Sequence, residues 1–135
     1  MRFSADRQIM MVAAAVGAVM SMPATAQAPT LTMLDKLERG QWVLRIRGSG
    51  EQKRICVRTG RELIQLRHAG PNCSRYVVED SAGQVTVQYS CAGNGYGRTS
   101  IRRETATLAQ IESQGIADGK PFEFTAEARR TGACQ

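Results

Sequence analysis

The sequence predicts a mainly β fold, a curved antiparallel meander or partly open barrel of about six strands with two short helices. Apolar and polar residues alternate along residues 84–91 (QVTVQYSC) and 121–130 (PFEFTAEARR), which is the clearest strand signal in the chain. Clusters of glycine, asparagine and aspartate separate the strand-like stretches at the spacing of hairpins. No helical pattern is long enough for the crossovers of a parallel sheet, so we expect antiparallel pairing within one domain.

The first 26 residues are interpreted as a cleaved export signal. Arg2 and Arg7 form a charged start, residues 9–20 are apolar and uncharged, and the segment ATA (residues 24–26) offers the small residues after which a signal peptidase cuts. The apolar run is shorter than the roughly 20 residues that cross a bilayer, so no transmembrane segment is expected. Cleavage after this segment removes 26 of the 135 residues and leaves 109, residues 27–135, as a single periplasmic domain.

The two helices and the first hairpin are expected in the N-terminal half. Thr32 with Asp35, and Thr59 with Glu62, match the capping boxes that mark helix starts. Gly40 stands where a C-cap glycine would end the first helix. The alternating stretches QWVLRIRG and KRICVR are expected to pair as a hairpin, and their inward side chains would be Trp42, Leu44, Ile46, Ile55 and Val57.

The remaining strands are expected in the C-terminal half. SRYVVED and QVTVQYSC should form the next hairpin, RTSIRRETATLAQIES one long bent strand, and PFEFTAEARR the last strand. Most aromatic residues are predicted to face inward: Trp42, Tyr76, Tyr89, Phe122 and Phe124. Tyr96 is the expected exception, because it lies among small residues beside Arg98.

Four cysteines lie in the predicted exported part: Cys56, Cys73, Cys91 and Cys134. An even number of cysteines in a small exported domain indicates disulfides, each contributing about 2–4 kcal/mol. Three pairings are open. We favour Cys56–Cys73 with Cys91–Cys134, because each bridge would then close a neighbouring or terminal segment. A metal site is not expected, because the chain has no Cys-x-x-Cys motif and one histidine.

Cysteine and glycine landmarks resemble those of a known family. In order, they are Gly40-x-Trp42, Cys56 within x-Cys-Val, Cys73 at a strand start, Val-x-Val-x-Tyr-x-Cys-x-Gly over residues 85–93, and Gly132-x-Cys134. They resemble the periplasmic family called domain of unknown function 3617, in the version found in alphaproteobacteria. The resemblance covers essentially the whole exported part. It implies a small β-rich exported protein with paired cysteines and supplies no catalytic residues.

The charge balance points to anionic partners. The formal net charge is +6, of which the leader accounts for +1 through Arg2, Arg7 and Asp6, leaving +5. Because the protein is expected to be exported, an anionic envelope component or an anionic small molecule is a better partner than nucleic acid. The candidate anion-binding residues are Arg45, Arg47, Arg98, Arg102 and Arg103. The alternative is a basic face that only keeps the protein soluble.

The stretch CAGNGYG offers a second candidate site, a turn or cleft formed by Gly93, Gly95, Tyr96 and Gly97. Alternating glycines also occur in nucleotide-binding loops, but those loops lead into a helix whose N-terminus holds the phosphate. Here the strand-like RTSIRR follows, so we predict a hairpin turn. No cofactor is expected.

His68 is the one histidine, so a general base on this chain would be His68 or a carboxylate. Its place after an apolar helical stretch favours a C-terminal helix cap. We therefore predict a non-enzymatic binding or accessory module for an anionic envelope component. The alternatives are a carrier that holds a small hydrophobic ligand in the cup of the sheet and, ranked last, a hydrolase that uses His68.

Overall fold

The computed structural model describes residues 29–68, Gly70 and 72–135, so the predicted export signal lies outside the described residues. The strands in that part of the chain are β1 (Gly40–Ile46), β2 (Gln52–Val57), β3 (Cys73–Asp80), β4 (Gln84–Cys91), β5 (Gly95–Thr105), β6 (Leu108–Ala117) and β7 (Lys120–Gly132). A helix α1 (Thr32–Asp35) precedes them, and a 3-10 turn (Arg61–Leu63) follows β2. None of the described helices has the length and hydropathy needed to cross a bilayer.

All seven described strands belong to one open antiparallel sheet in the order β2-β1-β7-β6-β5-β4-β3. The predicted fold class is therefore confirmed, with one strand more than expected. The run from β3 to β7 is the predicted meander. The first hairpin does not continue this meander next to β3; instead, β1 pairs with β7, the last strand of the chain.

One face of the sheet, the inner face, is apolar and carries the core. Its buried side chains are Trp42, Leu44, Val57, Val85, Val87, Tyr89, Cys91, Ile101, Ala109, Ile111, Phe124, Ala126 and Ala128. The inward alternation predicted for β1, β4 and β7 is thus confirmed. The intervening side chains form the outer face, which is mainly polar.

The segment between β2 and β3 (residues 58–72), which we call the crossover, covers the inner face with its described residues 58–68. They join β2 and β3, which are consecutive in the chain but occupy opposite edges of the sheet. Lys53 of β2 donates to the Leu66 carbonyl (3.0 Å), and Thr99 of β5 donates to the Ile64 carbonyl (2.7 Å). Leu63 and Ile64 are fully buried. Each such side chain contributes about 1.5–3 kcal/mol by leaving water.

The N-terminal segment covers the rest of the inner face and is joined to the crossover. Leu31, Met33, Leu34 and Leu37 are buried in the core. Arg61 of the crossover donates to the Asp35 carboxylate (2.7 Å) and to the Thr30 carbonyl (2.7 Å). The pKa of the exposed Asp35 carboxyl is lowered, chiefly by this hydrogen bond from Arg61. The two covering segments therefore form one layer over the sheet.

The predicted first helix is longer than the observed one, and its capping box is absent. Leu31, not Thr32, is the N-cap, and no side chain caps α1. The helix ends early because the Glu38 N–H donates to the Ala106 carbonyl (2.8 Å) in the turn between β5 and β6, which holds the chain extended. Gly40 begins β1 instead of capping a helix; a Cβ atom there would collide with the Gly132 carbonyl.

The second predicted capping box is formed in part, around a single 3-10 turn. The Thr59 N–H donates to the Glu62 carboxylate (3.1 Å), and the Thr59 hydroxyl accepts from the Arg61 N–H (3.3 Å). Partial burial raises the pKa of Glu62, but its backbone hydrogen bonds outweigh this effect and lower the pKa below its ordinary value.

The single bent strand predicted over residues 98–113 is wrong, because this stretch is the β5–β6 hairpin. The turn between them is built from threonines: the Thr107 N–H donates to the Thr105 hydroxyl (3.1 Å). The register shifts between Arg103 and Thr105, which accommodates the turn. This turn lacks the glycine, asparagine or proline that usually marks a hairpin, so the sequence did not reveal it.

The favoured disulfide pairing is also wrong. The bridges are Cys56–Cys134 and Cys73–Cys91. Cys56 and Cys73 lie on opposite edge strands, six strand spacings or about 29 Å apart along the sheet, far beyond disulfide reach. Cys73 and Cys91 are direct partners across β3 and β4. Gln41 of β1 pairs with Cys56 on one side and with Gly132 on the other. Cys134, two residues after Gly132, therefore lies near Cys56.

A tryptic map of the denatured, unreduced protein tests this pairing. Cleavage after arginine separates the four cysteines into residues 55–58, 68–75, 76–98 and 131–135. We expect mass spectrometry to find residues 55–58 linked to 131–135, and residues 68–75 linked to 76–98. Peptides 55–58 and 68–75 joined to each other would contradict the sheet order.

Candidate functional site

The candidate arginines do not form one patch. Arg45 of β1 and Arg98 and Arg102 of β5 lie on the outer face, and Arg47 lies just beyond β1. Arg103 pairs in register with Ala109, a core residue, and so lies on the inner side. Its Nε atom is buried without a hydrogen-bond partner. The predicted anion-binding set is therefore divided between the two faces.

Carboxylates and amides separate the outer-face arginines from one another. Four residues form one row across β1, β7, β6 and β5, in the order Arg45, Glu127, Gln110 and Arg102. Arg102 forms a salt bridge with Glu104 (3.1 Å). Arg47 donates to the Gln110 side chain (2.7 Å). Arg102 is therefore balanced by a carboxylate, Arg47 bonds to a neutral amide, and Arg45 has Glu127 opposite it in register.

Arg98 differs from Arg45 and Arg102 because no carboxylate of the described chain lies opposite it or bonds to it. Among the described residues it makes neither a salt bridge nor a side-chain hydrogen bond. It is exposed in the middle of the outer face, between Gln88 of β4 and Gln114 of β6. It lines a depression of about 180 Å³ with Ser100, Glu112 and Glu123. Its guanidinium group is free to bind an anionic group in a bidentate manner.

The glycine-rich stretch is a hairpin turn, as predicted. Residues 92–94 connect β4 to β5, and Gly93 has the left-handed φ of 74° that favours glycine in such a turn. The next element is a strand and not a helix, so the arrangement that nucleotide-binding loops require is missing.

Gly95 and Gly97 have a packing role that the sequence did not reveal. A Cβ atom at Gly95 would collide with the Ile116 carbonyl, and one at Gly97 would collide with the phenol of Tyr89. The absence of a side chain at Gly97 makes room for the Tyr89 ring on the inner face. The glycines thus fix the position of a core tyrosine and do not form a cleft.

His68 is a buried structural residue, and its predicted role as a helix cap is wrong, because the preceding 3-10 turn ends at Leu63. The side chain is 1% exposed. Its Nε2 atom lies 2.8 Å from the Asn94 carbonyl oxygen and 3.0 Å from that of Ile116. Carbonyl oxygens accept hydrogen bonds, so Nε2 carries a hydrogen and donates. His68 thereby ties the crossover to the β4–β5 turn and to β6.

The second ring nitrogen of His68 is occupied as well. Nδ1 lies 3.0 Å from the Tyr89 hydroxyl, and the two rings meet edge to face. Burial raises the pKa of Tyr89, against a smaller opposite effect of a hydrogen bond with Ser113, so the phenol stays protonated. Neither nitrogen of His68 contacts a serine, cysteine or carboxylate in the described part of the chain, as a catalytic base would require.

Tyr76 is exposed, contrary to its predicted inward position. This side chain is 71% exposed on the outer face, not inward, and Tyr96 is 53% exposed nearby, as expected. Tyr76 pairs with Gln88 and Tyr96 with Ser90, two adjacent outward positions of β4. The signal was in the alternation: Cys73 pairs with inward-facing Cys91, so Tyr76, three residues later, faces outward.

The two tyrosines border a depression of about 630 Å³, which we call the tyrosine cavity. It is lined by Ser74, Arg75, Tyr76, Gln88, Tyr89, Ser90 and Tyr96. Arg98 stands beside it, opposite Gln88. This end of the outer face therefore combines two exposed aromatic rings, several uncharged polar groups and an arginine that has no partner in the described part of the chain.

No family model matches the chain, and no curated protein or solved structure is significantly similar to it. The resemblance to the periplasmic family with domain of unknown function 3617 stays a prediction. The function is therefore inferred from the geometry of the site itself.

Replacing Gly97 with alanine tests the packing role of the glycine stretch. The added methyl group would displace the Tyr89 ring and its bond to His68, so we expect Gly97→Ala to lower the unfolding free energy by about 1–3 kcal/mol in urea titrations. Gly83→Ala is the control, because a Cβ atom at Gly83 meets no atom within 4 Å. Equal stability of the two variants would show that Gly97 is not needed for space.

Proposed function

We propose that this chain is an exported, non-catalytic binding module that holds an anionic envelope component on the outer face of its sheet. The observation that carries the proposal is the exposed guanidinium of Arg98, which has no partner among the described residues and lies beside two exposed tyrosines. A charged group that has uncharged residues opposite it on both neighbouring strands is available to a ligand. The neighbouring aromatic rings add contact area at little cost in side-chain entropy.

The disulfides and the leader support the part of the proposal that concerns export. Two disulfides join all four cysteines, and disulfides form and persist in oxidising compartments such as the periplasm. The charged, apolar and small-residue segments of residues 1–26 fit a secretory signal. The resemblance to the periplasmic family with domain of unknown function 3617 agrees with this location.

The inner face gives little support to the alternative of a hydrophobic-ligand carrier. A carrier would hold its ligand in the cup of the sheet, but the crossover and the N-terminal segment fill that cup with side chains. The depression bordered by Leu44, Ile46, Leu66 and Phe124 measures about 230 Å³. Pockets for drug-sized ligands usually measure about 300–1,000 Å³. Arg67 lies over the Phe124 ring at 5.7 Å and brings charge to this depression.

Arg98→Gln tests the proposal, with Arg58→Gln as the matched control. Arg58 is also exposed and directly follows β2, which lies four strands away from β5 in the sheet, so both variants lose one positive charge at separate places. The probes are polygalacturonate on beads and vesicles of phosphatidylglycerol in phosphatidylcholine, at about 0.15 M salt, where long-range charge effects are screened. We expect Arg98→Gln to weaken binding to at least one probe about tenfold, as loss of a charge-assisted hydrogen bond does.

The control variant should change binding less than twofold, by our expectation that distant charges contribute weakly at this salt. Equal weakening in Arg98→Gln and Arg58→Gln would show that the positive charge acts only as a diffuse, solubilising field. Absence of binding to both probes would overturn the proposed function as well.

A further inference from the structure

We propose that the tyrosine cavity binds a sugar unit of an anionic saccharide, whose acidic group pairs with Arg98. This inference rests on the proposed function and names the ligand class for it. It places the contacts at one end of the outer face, where β3, β4 and β5 lie side by side.

The geometry of the tyrosine cavity suits one sugar ring between two aromatic side chains. Tyr76 on β3 and Tyr96 on β5 flank β4, so their backbones are about 10 Å apart across the sheet. The two rings are offset along the sheet, because Tyr76 pairs with Gln88 and Tyr96 with Ser90. Such a spacing leaves room for a ring to lie over β4 with an exposed phenol on each side.

The chemistry of the cavity matches both surfaces of a pyranose. The C–H groups of a sugar ring are weakly electropositive and pack against the negative face of an aromatic ring. Gln88 and Ser90 on the floor make no side-chain hydrogen bond with the described residues, while the Ser74 hydroxyl reaches the Ser90 carbonyl at 3.5 Å. The amide and hydroxyl groups of the floor can therefore exchange hydrogen bonds with sugar hydroxyls.

The charge around the cavity favours an acidic sugar over a neutral one. No carboxylate lines the cavity among the described residues, and Arg98 stands next to Gln88. The outer-face carboxylates closest to Arg98 belong to Glu112 and Glu123, which lie on its far side, on β6 and β7. A carboxylate or phosphate on the sugar would meet positive charge on the cavity side of Arg98.

The surface also accommodates more than one sugar unit. Tyr96 borders a second depression of about 460 Å³, which is lined by Gln114, Pro121 and Glu123 among others. Its ring therefore separates two adjacent cavities and can contact consecutive units of a chain. This arrangement favours an oligosaccharide over a free monosaccharide.

A single-stranded nucleic acid, which also stacks on tyrosines, fits the surface less well. Such ligands are held by a basic groove that follows the phosphates. On the outer face, Glu127 and Gln110 separate Arg45 of β1 from Arg102 of β5, so the arginines do not form a continuous track. An added peptide strand at the edge of β3 is also disfavoured, because the register shift between Val77 and Glu79 interrupts the edge ladder.

Calorimetric titration with tetragalacturonate, a chain of four galacturonates, tests the inference. The comparison ligand is its fully methyl-esterified form, which has the same rings without the charges. We expect Tyr76→Ala to weaken tetragalacturonate binding about tenfold, a typical effect of losing one stacking contact. Tyr76→Phe, which keeps the ring, should bind like the parent protein. Val78→Ala is the control, because Val78 is also exposed (43%) on β3.

The ester separates ring contacts from charge contacts. It should bind the parent protein about tenfold more weakly than tetragalacturonate, and Arg98→Gln should remove most of that difference. Because Tyr76 is largely exposed, Tyr76→Ala is expected to fold, and its thermal transition provides the check.

The outcomes distinguish the inference from the proposed function. If tetragalacturonate binding depends on Arg98 but not on Tyr76, the saccharide site is wrong while anion binding stands. If the parent protein binds phosphatidylglycerol vesicles in an Arg98-dependent way but does not bind tetragalacturonate, the saccharide site is again wrong and anion binding stands. If oligothymidylate binds more tightly than tetragalacturonate and depends on Tyr76, the cavity is a site for nucleic acid instead.

Discussion

The structure depends on one constraint: an open sheet with an apolar face needs a cover, and the chain supplies much of it by crossing from one edge strand to the other. The 15 residues between β2 and β3 can reach about 50 Å when extended, and the two edges are about 29 Å apart along the sheet. The crossover therefore has enough length to turn inward on its way. In doing so it buries Leu63, Ile64 and His68 against the strands.

The disulfides hold both ends of this crossover. Cys56 lies two residues before it and is bridged to the C-terminal segment after β7, while Cys73 follows it directly and is bridged to β4. Between these anchors, His68 donates to the carbonyl oxygens of Asn94 and Ile116, and Thr99 donates to that of Ile64. Bridges at opposite edges thus restrain the same covering segment, which a small domain with a thin core needs.

The cover on the inner face leaves the outer face free for binding. All layers of the described chain other than the sheet lie on the inner side, so Tyr76, Tyr96 and Arg98 are exposed on a rigid backbone. Strands position side chains more precisely than loops do, which favours a preformed site. The glycine stretch contributes indirectly: Gly97 admits Tyr89 below the sheet, while its neighbours Tyr96 and Arg98 point to the other side.

Local sequence pattern predicted the class of the fold and the inward residues of β1, β4 and β7, because alternation is a property of each strand alone. It did not predict that β1 pairs with β7, since nothing in either strand encodes a partner so distant in the chain. The Cys56–Cys134 bridge depends on that contact and was missed with it, whereas the Cys73–Cys91 bridge lies within the predicted β3–β4 hairpin. The buried position of His68 was not predicted, because it depends on tertiary hydrogen bonds and not on a helix end. The outward position of Tyr76 follows from the alternation along β3, but aromatic residues in strands usually face the core, and this preference favoured the inward prediction.

The central claim is that the crossover, held at both ends by disulfides, stabilises the sheet. Hydrogen exchange tests this claim most directly when it is measured by mass spectrometry on the oxidised and the fully reduced protein. If the bridged crossover stabilises the sheet, reduction will remove amide protection from residues 58–72 and from strands β4 to β6 together. If β4 to β6 keep their full protection in the reduced protein, the sheet does not need the pinned crossover, and this account of the fold is wrong.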